Sequence, residues 1–334
     1  MFKDKVVLVT GATGMIGRSV IDQLIGNTKK IIAVSLDAEP AEWKESKYTG
    51  QIEFANVDLR EFSQCRKIMH GVDLVVHLAG VKGSPKLTLE QPASFFTNTL
   101  MFNLNVMESA RRAGVEQFLY TSSIGVYAPA KEFFEEDVEN SFPSENDKFA
   151  GYAKRMGELQ VEALEIEYGW KAATIVRPAN VYGPNDNFDP ATGMVIPSLI
   201  GRIASGENPL NVWGDGSAIR DFIYVEDVAK AMLHLLSGKI RGPINLGSGR
   251  GRSIKELVLI LQKYEPNLTI QWQSDGHVGD NTRVMNINKL MDSGFTPEIS
   301  LEVGIRKTLD WFKSDRGNTN FRYNAFKEFK NENE

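Results

Sequence analysis

The chain of 334 residues contains a single cysteine, Cys65. One thiol cannot build an intramolecular disulfide framework or a CxxC-type metal or redox site. There is no long basic run, and 38 Lys and Arg against 43 Asp and Glu leave a formal charge of −5. That balance argues against nucleic acid or an anionic membrane as the main partner. No apolar stretch approaches the length needed to span a bilayer. The opening MFKDKVVLVTG passes straight into a strand-like run, without the apolar core of a signal peptide. The expectation is a soluble, cytoplasmic protein. At about 150 residues per domain, its length suits one large α/β unit or two modest domains.

What is present is alternation. Short apolar runs occur at Val6–Val9, Ile31–Val34, Leu74–Leu78, Phe118–Tyr120 and Thr174–Val176. Runs rich in β-branched residues are the mark of strands buried on both faces. Between them lie amphipathic segments, including Gly17–Ile25, Ser94–Arg112 and Gly151–Tyr168. Strand and helix in repetition predict an α/β doubly wound parallel sheet of Rossmann type. Residues 1–180 are expected to form this domain, with 222–247 returning to it. Residues 181–312 then form a smaller, interleaved α/β substrate-binding subdomain, and 313–334 a polar tail. The loop Tyr182–Thr192 is dense in Gly, Pro, Asn and Asp. Within 253–264 a short helix is expected.

The first run leads directly into Thr10-Gly11-Ala12-Thr13-Gly14-Met15-Ile16-Gly17. Glycines at 11, 14 and 17 permit a tight turn, close backbone approach to a pyrophosphate, and close packing of helix on strand. The backbone of Met15 and Ile16 then opens a helix whose free N–H groups face the phosphates. Asp37 stands twenty positions after Gly17, at the end of the second run. A carboxylate there accepts from the ribose hydroxyls of NAD and repels the 2′-phosphate of NADP. Ser35 is the alternative if the register differs by about two. NAD is therefore expected rather than NADP.

An ordered series of motifs resembles the extended short-chain dehydrogenase/reductases, the NAD-dependent epimerase/dehydratase family. It comprises the TGATGMIG start, Asn56-Val57-Asp58-Leu59-Arg60, His77-Leu78-Ala79-Gly80, Asn98, Thr121-Ser122-Ser123 with Tyr127, and Arg177-Pro178-Ala179-Asn180-Val181-Tyr182-Gly183-Pro184. The resemblance implies that Asp58 and Leu59 meet the adenine, and that Leu78, Ala79, Gly80, Asn98 and Pro178 line the cofactor. Lys154 would hold the nicotinamide ribose. Two further blocks, residues 182–199 and Val212-Trp213-Gly214-Asp215-Gly216 with Arg220-Asp221-Phe222, resemble those of GDP-fucose synthases. They imply a GDP-linked sugar against Asn180, Val195, Arg202, Trp213, Arg220 and Arg283. Similar proteins also pair the helices around 94–112 and 151–168 into a four-helix bundle, so a homodimer is expected.

The departures from the family are equally informative. Gly125 and Met194 stand where GDP-fucose synthases carry the Cys and His that epimerise C3 and C5. Neither can exchange a proton, so that chemistry is not expected. The Thr-Asp-Glu run of the dehydratases is replaced by Ser122-Ser123-Ile124. Most unusual is the Tyr-x-x-x-Lys pair, whose members share one helix face. Lys154 is present in Lys-x-x-Gly-Glu, yet Ala150 occupies the tyrosine position. Tyr152 lies two residues from Lys154, about 200° around a helix. It reaches the site only from an irregular turn. Ser123 fits the serine that binds the reacting oxygen, so Ser123, Lys154 and Tyr152 are the catalytic candidates.

Three readings follow. The first is an NAD-dependent oxidoreductase at C4 of a GDP-linked sugar. The second is a nucleotide-sugar 4-epimerase. The third is a weakly catalytic protein that binds NAD(H) and a nucleotide sugar. No metal is expected: the acidic run Glu132–Glu139 reads as a solvated loop, Cys65 as a packing residue and His77 as a core histidine beneath the cofactor.

Overall fold

The computed structural model describes residues 2–44, 50–81, 85–273 and 280–314. The apolar runs form strands β1 (Phe2–Thr10), β2 (Thr28–Ser35), β4 (Leu74–His77), β5 (Gln117–Thr121) and β7 (Ala173–Pro178), with β3 (Ile52–Asn56) beside β2. A short β6 (Glu132–Phe133) lies outside that sheet, and β11 (Ile244–Leu246) completes it. The order is β11-β7-β5-β4-β1-β2-β3, and every pairing is parallel. The strand order reverses between β1 and β4. Their carboxyl ends therefore flank the crevice where such sheets bind ligands.

Helices cover both faces, as apolar strands require. One face is packed by α1 (Met15–Leu24), through Val20, Ile21 and Leu24. The other is packed by α2 (Phe62–Ile68), through Cys65. After the short α3 (Pro85–Glu90), the long helices α4 (Pro92–Arg112) and α5 (Lys148–Tyr168) join that second face. Phe102 and Val106 of α4, and Val161 and Leu164 of α5, enter its core. The expected helix at Gly151 thus begins at Lys148.

The subdomain has its own core. Here β8 (Asn180–Tyr182), α6 (Val195–Ala204), β9 (Leu210–Trp213) and β10 (Ile219–Tyr224) precede α7 (Val225–Ser237). They are followed by β12 (Gly251–Ser253), α8 (Ile254–Tyr264), β13 (Ile270–Gln273), β14 (Thr282–Met285), α9 (Asn288–Asp292) and α10 (Leu301–Ser314). A second sheet runs β12-β10-β14-β6, with β8 also on β10, and β13 pairs with β9. Apolar faces of α6, α8 and α10 bury Leu199, Leu257 and Leu309 against these strands. The return to the first sheet begins with α7, which packs against α1, because β10 belongs to the second sheet. Residues 315–334 of the expected tail lie outside the described residues, while Lys313 closes α10.

Candidate active site

The glycine series does what its spacing predicted. Gly11 takes a left-handed φ of +63°, and a Cβ on it would lie 2.9 Å from Leu78 C and Ala79 N. The turn leaving β1 thus presses against the chain leaving β4. A side chain on Gly17 would strike the carbonyls of Gly11 and Ala12, so only glycine lets α1 sit this close. Gly14 is the N-cap of α1 and offers no side-chain cap, and the first turn carries no acid. Its opening N–H groups, including those of Met15 and Ile16, are available to a diphosphate. This cradle fits a dinucleotide.

Beyond β2 the side chains form a polar cluster. Thr13 Oγ1 donates to Asp37 Oδ2 at 2.7 Å and lies 2.7 Å from Ser35 Oγ. Asp37 and Ser35, the alternatives expected at the ribose, therefore belong to one cluster. Asp58 receives Arg60 Nε on Oδ1 at 3.0 Å and Nη2 on Oδ2 at 2.6 Å. Burial alone would raise the Asp58 carboxyl, but the hydrogen bonds and charge of Arg60 hold it below its ordinary range. Arg60 Nη1 also reaches Asn98 Oδ1 at 3.4 Å. Arg60 thereby joins Asp58, after β3, to Asn98 of α4. Pro178 ends β7, paired with Leu246 of β11.

A buried polar chain runs beneath this floor. His77 Nδ1 lies 2.8 Å from Thr10 Oγ1, and its Nε2 lies 2.9 Å from Asn103 Oδ1. Thr10 Oγ1 accepts from the N–H groups of Leu78 and Ala79, both at 3.1 Å. Burial, and then the charge of Lys154, push the imidazole down to about 3. His77 is a neutral core histidine. Asn103 Nδ2 donates to Tyr120 Oη, which donates to the Lys154 carbonyl at 3.0 Å. The chain thus ties the glycine turn to helix α5.

Lys154 Nζ donates to the Thr121 carbonyl at the end of β5, at 2.8 Å. Burial lowers the ammonium to about 8, opposed by the charge of Glu158. Two residues after Thr121, Ser123 caps a short turn over Ile124–Val126, its Oγ accepting from Gly125 N at 3.0 Å. Ser123 and Lys154 are therefore set at the same strand end. Tyr152 is not placed with them. Helix α5 is regular from Lys148, so no irregular turn redirects Tyr152 towards Lys154. A residue that sequence reasoning missed is Asp147, the N-cap of α5. The signal was its spacing: seven residues before Lys154, it shares the helix face of Lys154 and Ala150.

Of the expected sugar-nucleotide residues, Arg220 and Arg283 are register partners on parallel strands β10 and β14. Burial, and then the neighbouring charge of Arg283, lower the Arg220 guanidinium. Two cations this close suit a diphosphate. Arg283 Nη2 also donates to the Ile124 carbonyl at 3.2 Å, which links the pair to the Ser123 turn. Asn180 Nδ2 donates to the Asp221 carbonyl at 2.8 Å. Val195 opens α6, and Trp213 ends β9 with 62% of its surface exposed. Arg202 departs from expectation. It pairs with both carboxylate oxygens of Glu207, with Nε–Oε2 at 2.7 Å, and its Nη2 donates to the Asn211 carbonyl. Those hydrogen bonds, against burial, hold the Glu207 carboxyl at about 2. Arg202 thus braces α6 against β9 within its own subdomain.

Other readings resolve similarly. Burial pushes the Cys65 thiol up to about 12, and its Sγ donates to the Leu59 carbonyl. The acidic run at 132–139 is only partly solvated, because Glu135 is buried and accepts from Asn245 N at 2.9 Å. Among the described residues, no group of three or more His, Cys, Asp or Glu side chains could hold a metal ion. Among them, too, no helix is long and apolar enough to cross a membrane.

A doubly wound parallel sheet with a glycine-rich turn leading from β1 into α1 is the architecture of a dinucleotide-binding protein of the short-chain dehydrogenase/reductase type. Residues 7–247 match the NAD dependent epimerase/dehydratase family, and the chain belongs to it. Its cofactor is NAD. The chain is 28% identical over 317 residues to the dTDP-4-dehydro-6-deoxy-D-allose reductase of Streptomyces bikiniensis, covering 92% of this chain and 96% of that one. It is 28% identical over 322 residues to GDP-L-fucose synthase 1 of Arabidopsis thaliana, covering 93% and 94%. Among solved structures, it resembles the UDP-N-acetylglucosamine 4-epimerase of Methanobrevibacter ruminantium in complex with UDP-N-acetylmuramic acid. That match has a TM-score of 0.84 at 26% identity, over 94% of this chain and 99% of the other.

Proposed function

We propose that this protein interconverts the 4-hydroxyl and 4-keto forms of a GDP-linked sugar, without epimerising C3 or C5. The observation that carries this reading is the placement of Lys154 Nζ on the Thr121 carbonyl, at the strand end that presents Ser123. Bound NAD supplies the acceptor and donor of hydride. The chain's own residues do the rest. The opening N–H groups of α1 hold the dinucleotide diphosphate, and Asp37 accepts from the adenosine ribose. Lys154 anchors the nicotinamide ribose and contributes a positive field. Ser123 Oγ orients the C4 oxygen. Arg220 and Arg283 fix the sugar's diphosphate, and exposed Trp213 offers a face on which the base can stack. Gly125 and Met194 leave C3 and C5 without an acid or a base.

The GDP-fucose synthase relative supports the guanine nucleotide. A second reading, 4-epimerisation, is favoured by the fold match to a UDP-sugar 4-epimerase. Incubating the protein with NAD and a panel of GDP-, UDP- and dTDP-hexoses separates the two. A dehydrogenase accumulates reduced dinucleotide together with a sugar two mass units lighter. An epimerase gives a product of unchanged mass with no net reduction. Neither result on any sugar would defeat both readings. The protein is further proposed to be a homodimer through α4 and α5. Met101 and Leu104 on α4, and Met156, Leu159 and Ile166 on α5, are all exposed apolar side chains. A reducing, cytoplasmic setting suits the unpaired thiol of Cys65.

A further inference from the structure

We infer that Asp147 is the acid/base that exchanges a proton with the sugar's 4-hydroxyl, in place of the missing tyrosine. The inference rests on the C4 redox reading above and identifies the residue which that reading lacks. Asp147 is the N-cap of α5 but does not cap, since its side chain accepts no bond from the first helical turn. The carboxylate is turned elsewhere. A Cβ placed on Gly125 would lie 3.4 Å from both Asp147 Cγ and Ser123 Oγ. The carboxylate and the hydroxyl expected to hold the C4 oxygen thus both face Gly125, at most about twice that distance apart, with no side chain of residue 125 between them.

The surroundings agree with the assignment. Asp147 and Ala150 both line one small surface cleft, with Thr88, Leu89 and Phe149. Asp147, Ala150 and Lys154 fall on one helix face, at spacings of three and four residues. The acid/base has moved one turn towards the start of the helix. Asp147 is also held in place, its buried Oδ2 paired with Arg283 Nη1 at 2.5 Å. Asp280, which accepts from Ser144 Oγ at 3.0 Å and Asn146 Nδ2 at 3.1 Å, steadies the approach to it.

In the oxidising direction the 4-hydroxyl proton passes to an Asp147 carboxylate oxygen, making the carboxylic acid. The O–H electron pair becomes the second C–O bond, and the C4 hydrogen departs with its own pair as hydride. The oxidised nicotinamide dinucleotide is the acceptor. Reduction runs the same transfers backwards, so Asp147 serves as base one way and acid the other.

The test uses the full chain with the sugar turned over in the panel assay. Asp147→Asn preserves shape and hydrogen bonding but cannot take the proton. Its single-turnover rate is expected to fall about 10²- to 10⁴-fold. Its affinity for the nucleotide sugar, read by calorimetry, should be retained, because Arg220 and Arg283 remain. Asp147→Ala should regain at least about tenfold in rate with added formate, a carboxylate small enough for the cleft. Asp147→Asn combined with Ala150→Tyr should recover activity through the restored phenol. An unchanged rate in Asp147→Asn would overturn the assignment. So would a rate loss matched by lost sugar affinity without formate rescue, which marks a merely structural partner of Arg283. If the unaltered chain turns over no sugar while Ala150→Tyr does, the Asp147 assignment falls and the C4 reading stands. If neither turns over any sugar, both fall.

Discussion

Replacing Asp37 with alanine tests the cofactor end of the site. The carboxylate lies at the end of β2, half-buried, with Thr13 Oγ1 on its Oδ2 at 2.7 Å. A charge-assisted hydrogen bond from a ribose hydroxyl is worth about 1.5–3 kcal/mol. Its loss weakens NAD binding roughly 10- to 150-fold, at about 1.4 kcal/mol per decade. The same change removes a negative charge facing the position of a 2′-phosphate. Two like charges 4 Å apart repel by about 4 kcal/mol at an effective dielectric of 20. Solvent and salt at a half-exposed site reduce that to about 1 kcal/mol, or about fivefold in favour of NADP. The preference for NAD should therefore shrink by about 10² to 10³. Folding should be little affected, because Thr13 Oγ1 keeps Ser35 Oγ at 2.7 Å. Calorimetric titration of both dinucleotides into the variant and the unaltered chain measures the change. An NAD affinity within threefold of the original would refute the role of Asp37, and a collapse of NAD affinity on Ser35→Ala instead would move it to Ser35.

Three further outcomes are expected. Leu159, 52% exposed on α5, should become a dimer-breaking site: Leu159→Asp should sediment as a monomer at micromolar concentration, and an unaltered sedimentation coefficient would place the interface elsewhere. Arg177→Met should destabilise the fold by about 3–5 kcal/mol, because it leaves Glu158 without its buried partner and Tyr127 and Glu135 without their donor; a thermal unfolding midpoint within a degree or two would contradict this. His77 stays neutral in the folded state down to about 3, whereas an unfolded histidine titrates near 6.5. The unfolded chain thus binds the extra proton between those values, so the contribution of His77 is full above pH 6.5 and is lost as pH falls. Urea unfolding at pH 7 and pH 5 should show His77→Gln losing about 2 kcal/mol less than the unaltered chain over that interval; equal losses would exclude His77 as a source.

How much of this could be read from the residues depended on burial. Strands β1, β2, β4, β5 and β7 stand out because their centres are covered on both faces and so carry unbroken apolar runs. Strand β3 is the sheet edge, with Glu53 and Asn56 among its five residues and no fully buried side chain, so it carries no such run. The second sheet was less legible still. Strand β6 is two residues long and pairs with β14 about 150 positions away, a partnership with no local signature. The stretch Phe222–Leu236, inside the segment expected to return to the first sheet, concealed a boundary: its first residues pair with β8 in the second sheet, and its helix returns to the first.

The active site divides along the same line. Glycine spacing encodes how closely backbone can approach backbone, so the tight turn from β1 into α1 was readable from Gly11, Gly14 and Gly17. Proton transfer depends instead on side chains brought together from distant segments. Asp147 follows Ser144-Glu145-Asn146, a polar stretch indistinguishable from a solvated loop, and gains significance only when Arg283 and Gly125 arrive beside it. The tyrosine position, by contrast, was plainly altered, and that alteration proves connected to another. Gly125 and Ala150 are both small where similar enzymes carry functional side chains. A side chain at 125 would stand between the Asp147 carboxylate and Ser123. The proton route proposed above runs past this glycine, from a short carboxylate at the helix start towards the serine. On this account Ala150→Tyr alone should add little to the unaltered chain, because the base it would restore has already been replaced.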